Sequence, residues 1–97
     1  MMFDEGEGRT LILPRAEAEA SGFPVDFPSR MITLDVHSHL GAVGFLAAVT
    51  TRLAAAGIAV NPVSAFFHDH LFVPEARADE AMRVLSALVE ENASKNL

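Results

Sequence analysis

Four histidines carry the most evident chemistry in this 97-residue chain, and all of them fall in two His-x-His pairs: His37 with His39, and His68 with His70. Residues i and i+2 of a strand point the same way, so each pair could present two imidazoles to a metal ion, with Asp35 and Asp69 beside them. A turn between His68 and His70 would break that geometry, and nothing in the spacing makes the two pairs meet. Structural or hydrogen-bonding roles are therefore favoured for the histidines over a metal site. Ser38 lies between His37 and His39, which raises nucleophilic catalysis. A triad, however, needs a base oriented by a carboxylate, and neighbours on a strand face opposite ways, so a helix-capping hydroxyl is the better reading of Ser38. No catalytic residue is expected, and no cofactor.

Composition removes further classes. With 51% hydrophobic and 21% charged residues the chain is globular, and its length allows one core. A formal charge of -6, with the seven Lys and Arg residues scattered singly, argues against nucleic acid or anionic membrane as a partner. Cysteine is absent, which excludes disulfides, thiolate metal sites and cysteine nucleophiles and fits a cytoplasmic setting. The acidic start, Met1 to Glu7, lacks the basic and apolar regions of a secretory signal. The apolar stretch Ala42 to Val60 is broken by Thr50, Thr51 and Arg52, so a membrane span is not expected. Phe66, Phe67 and Phe72 read as core and interface packing.

The elements that would position these groups can be read from periodicity. Thr10 to Leu13, closed by Pro14, suits a short edge strand. Arg15 to Ser21 is a short helix with Gly22 as its terminator, and Phe23 to Pro28 is too proline-rich for anything but an extended connector. From Met31, Ile32, Leu34 and Val36 alternate with Thr33, Asp35 and His37, the pattern of a half-buried strand. Ala42 to Ala56 follows as a helix with Leu46, Val49 and Leu53 on one face and Gly57 as its stop. Ile58 to Phe67 and His70 to Val73 are predicted strands joined by a tight turn at His68-Asp69. A last helix, Asp79 to Glu91, buries Ala78, Ala81, Leu85 and Leu88.

Strand, helix, strand, strand, helix lacks one strand of the ferredoxin-like pattern. The expected architecture is an α+β sandwich: an antiparallel sheet with two helices on one face. Thr10 to Leu13 is predicted to replace the last strand, in its own chain or in a partner, and a homodimer is expected.

Residues from Met31 onward resemble the ACT family of small-molecule-binding regulatory domains, through Gly44, Gly57 and Ile32 to Val36. Within it, Val36-His37-Ser38, Ala42-Val43-Gly44 and the string Phe67 to Pro74 are similar to small bacterial ACT-like proteins related to CASTOR-type arginine sensors. That resemblance implies an ACT-like domain over residues 30–97. Residues 1–29 would be the remnant of a preceding ACT-like half in a chain shortened at its N-terminus. It also implies a ligand loop of Ser38, His39, Leu40, Gly41, Ala42, Val43 and Gly44, with Asn61 on the next strand, beside a dimer interface. His39 matches the histidine of serine-binding ACT domains, but Gly41 replaces their loop asparagine and Val43 their loop proline, so serine specificity is not implied. The function this implies is a regulatory module binding an effector, most plainly an amino acid. The alternatives are an oligomerisation or interaction module with a vestigial ligand site and, behind it, a histidine-based metal enzyme.

Overall fold

The computed structural model describes residues 1–34 and 41–95. Strands β1 (Met2–Glu5) and β2 (Gly8–Leu11) open the chain as an antiparallel hairpin in a two-stranded sheet of its own. Its register sets Met2 opposite Leu11 and Asp4 opposite Arg9, and an ion pair of 2.6 Å joins the latter two. The Ile12 amide donates to the Met1 carbonyl at 2.8 Å, which extends the ladder by one step.

Helix α1 (Arg15–Ala20) follows Pro14 and ends at Gly22, whose φ of +77° admits the left-handed turn. After the proline-rich connector come β3 (Ser29–Leu34), α2 (Gly41–Ala55), β4 (Asn61–Ser64), β5 (Asp69–Pro74), a short 3-10 turn (Glu75–Arg77) and α3 (Ala78–Lys95). The second sheet has three strands in the order β3-β5-β4, all antiparallel.

Leu71 and Val73 point to one face of the central strand β5 and are fully buried. They form one core with Val49 and Leu53 of α2, Ile58, and Ala81, Leu85 and Leu88 of α3, so both helices cover the same face of the sheet. Ile32 and Leu34 flank this core, half-buried, as the alternation of β3 predicts. Gly57 ends α2 at φ +74°. The Ile58 amide reaches back to the Leu53 carbonyl at 3.0 Å and the Gly57 amide to Ala54 at 2.9 Å, the paired bonds of a left-handed helix stop. Arg77 completes that stop from outside: its guanidinium donates to the carbonyls of Ala56 (3.1 Å) and Gly57 and is held by Glu80 at 2.7 Å. Arg52 of α2 and Glu91 of α3 form a two-bond ion pair across the helices, and this raises the Arg52 pKa through the hydrogen bond first and the charge second.

Three expectations need correction. The N-terminal strand does not complete the second sheet within its own chain: it pairs with Met2–Glu5, its neighbour in sequence, in a separate two-stranded sheet. The β4–β5 connection is not a tight turn at His68-Asp69. Ser64 pairs with Asp69 and the Ala65 amide bonds the His68 carbonyl at 2.9 Å, so residues 65–68 form a four-residue loop that needs no positive φ. Phe66 and Phe67 therefore leave the strand for the loop tip, where they are 92% and 79% exposed rather than core.

Candidate functional site

At one end of the sheet β3 stops at Leu34, level with Asp69 of β5 and Ser64 of β4, and α2 begins at Gly41. Of the predicted ligand loop, Ser38, His39 and Leu40 lie outside the described residues, as do Asp35 and His37. Gly41, Ala42 and Val43 form the first turn of α2, and Gly44 follows in it. The first four amides of a helix have no partner inside it, and no acidic side chain occupies the first turn of α2. A Cβ built at Gly44 meets no atom within 4 Å, so its outer side is open.

Asn61 is not brought to this end. It opens β4 opposite Phe72, three steps from Ser64, and is displaced by about 10 Å along the strand with β5 between it and β3. It shares a face with Val63, and the antiparallel register sets it level with Phe72 and Met31 rather than with Leu34.

The described histidines serve the sheet. His70 faces away from the helices, opposite Thr33 and Val63, and its Nδ1 is hydrogen-bonded to Thr33 Oγ1 at 3.0 Å. His68 lies in the loop with its ring 6.4 Å from that of His70. Among the described residues no group of three or more His, Cys, Asp or Glu side chains is placed to hold a metal ion. No described helix is long and apolar enough to cross a membrane.

Two features escaped sequence reasoning. One is the edge-to-face stack of Phe66 on Phe67, centroids 4.8 Å apart, at an exposed tip. The other is an apolar groove of about 370 Å³ between β3, Phe45 of α2 and the outer side of α3, where Met82, Ser86 and Val89 line it. Met82 and Val89 occur at helical spacing with Leu85, which could have signalled a second apolar stripe on α3.

With this geometry in place, comparison with known proteins is decisive about kinship. An ACT domain family model matches residues 26–87, from the connector through β3, α2, β4 and β5 into α3, and a second ACT domain model matches residues 1–30. The chain belongs to the ACT domain family, whose members are regulatory modules that bind small molecules. A solved structure from Vibrio cholerae, described as a protein of unknown function and possible transport protein, is 39% identical with a TM-score of 0.80. That likeness covers 90% of this chain, which spans 66% of the Vibrio cholerae chain. No curated protein matches.

Proposed function

We propose that the protein is a regulatory module that binds an amino acid at the junction of β3 and α2, and that it catalyses no reaction. The observation that carries this is the ACT match over residues 26–87, because it spans the whole β3–α2 junction and the strands and helix that support it. The chemistry is consistent: a free α-carboxylate would take the amides at the start of α2, which have no partner inside the helix, and the helix dipole there also favours negative charge. Ser38 and His39 would add hydrogen bonds, while Leu40 to Gly44 would allow close backbone approach. Asn61 contributes only if another copy supplies it, given its place about 10 Å along the strand from Ser64 with β5 between it and β3.

A thermal-shift screen against the common amino acids tests this. An effector at a hundred times its Kd adds about 2.7 kcal/mol, which for a domain of this size raises Tm by roughly 10 °C or more. Gly44→Leu should remove that shift and still fold, since its Cβ meets nothing. If calorimetry finds no amino acid that binds at millimolar concentration, the sensor reading fails. An oligomerisation or interaction module then takes its place, a reading favoured by the outer edge of β3, which has no strand beside it among the described residues.

A further inference from the structure

In the second sheet β5 is central and β4 closes one side, while the outer edge of β3 has no strand beside it among the described residues. The apolar groove lies along that edge. Ile32, Thr33 and Leu34 line it together with the buried Val49, Leu85 and Leu88, so it opens between the margin of β3 and the helices that cover that face. Its other wall, Met82 and Val89 on α3, is 49% and 53% exposed. An occupant must therefore supply backbone hydrogen bonds to β3 and apolar side chains to α3, which an extended strand does and a free amino acid does not. Among its polar liners, Thr33, Ser86 and Glu90, there is no cation to receive a carboxylate.

The same chain carries an element with the converse deficit. Every residue of β1 and β2 is exposed, including Met2 (55%), Phe3 (47%) and Leu11 (38%), and Met2 and Leu11 share one face of the hairpin. The hairpin makes a sheet only with itself. It also stretches the molecule: the radius of gyration is 15.3 Å, against about 12.5 Å for a compact chain of this length.

We infer that the groove and open edge of β3 receive the β1–β2 hairpin of a second copy, so that two copies exchange hairpins reciprocally. Strand addition satisfies the backbone of an edge that would otherwise be a template for aggregation. Reciprocity also brings the contact to the size a stable dimer needs. Hairpin Met2–Leu11 and the groove lining together supply about twenty residues from each copy, within the usual count per partner.

Sedimentation of three proteins tests the exchange: the unaltered chain, Leu11→Asp in the hairpin and Val89→Asp in the groove. Both substituted side chains are partly exposed in a single copy, so each variant should keep its far-UV spectrum. The unaltered chain should be dimeric at micromolar concentration, and each variant alone should dissociate about ten-fold or more as readily. An equimolar mixture of the variants should recover a heterodimer, because the intact hairpin of one meets the intact groove of the other. Should either variant fail to fold, Met2→Lys and Met82→Lys replace them in the same design. The inference is overturned if the unaltered chain is monomeric, if Leu11→Asp dimerises unchanged, as pairing of two β3 edges would allow, or if the mixture does no better than its parts.

Discussion

Leu53→Ala tests the packing on which the whole arrangement rests. Leu53 is fully buried on α2 and belongs to the same cluster as Val49, Leu71, Val73 and Leu85, so the truncation opens a hole between two helices and the central strand. Losing the transfer free energy of three carbons costs about 2.4 kcal/mol. The neighbours can relax only partly, because Leu71 is paired on both sides of β5 and Val73 is paired to β3, which adds a cavity cost and gives a total of about 3 to 4 kcal/mol. Against a stability of roughly 5 to 15 kcal/mol this is a large loss. The chain has no tryptophan or tyrosine, so urea unfolding is best followed by far-UV circular dichroism at one fixed protein concentration. With a slope near 1 to 1.5 kcal/mol per molar, the midpoint should fall by about 2 to 4 M urea. A loss below about 1 kcal/mol would show that Leu53 is not enclosed and that the two helices do not share one core over β5.

Gly57→Ala should cost about 1 to 2 kcal/mol in the same titration, because alanine at φ +74° is strained although its Cβ has room. Arg77→Lys should lose about 1 kcal/mol or more, since an ammonium cannot bridge two carbonyls and Glu80 together, and a thermal melt would register it. Gly44→Ala should raise stability by up to about 1 kcal/mol through helix propensity while weakening any amino acid that approaches that backbone, so melts with and without effector should move in opposite directions. Phe66→Ser with Phe67→Ser should leave the unfolding midpoint within about 0.5 kcal/mol of the parent, which a core position would not permit.

Local signals along the chain were enough for the helices and for most of the sheet. The three-and-four spacing of Leu46, Val49 and Leu53 ahead of Gly57, and of Ala81, Leu85 and Leu88, marks two amphipathic helices, and α2 and α3 bury those faces apart from a half-buried Leu46. Alternation at Ile32 and Leu34 likewise fixed which side of β3 meets them. The glycine stops at Gly22 and Gly57 were legible because a left-handed residue after an α-helix is a single-position requirement. The ligand loop was named from resemblance, and of it the described residues contain only the first turn of α2 from Gly41 to Gly44.

What pairing decides was hidden, because hydrogen bonds between strands depend on which strand is the partner and in which register, and neither is a local property of the chain. Met2–Glu5 shows no apolar alternation, yet it captures β2 because Gly6 and Glu7 bring it alongside. Apolar character placed Phe66 and Phe67 in a strand, whereas the pairing of Ser64 with Asp69 expels them to a loop. Asn61 lies level with Met31 and Phe72, three residues along the strand from the β3–α2 junction, because antiparallel order, not spacing along the chain, fixes the level of each strand residue. The groove beside β3 exists only in three dimensions. The order of elements already showed one strand too few for a ferredoxin-like sheet, but only the packing of α2 and α3 over β3 shows that a groove runs beside that edge.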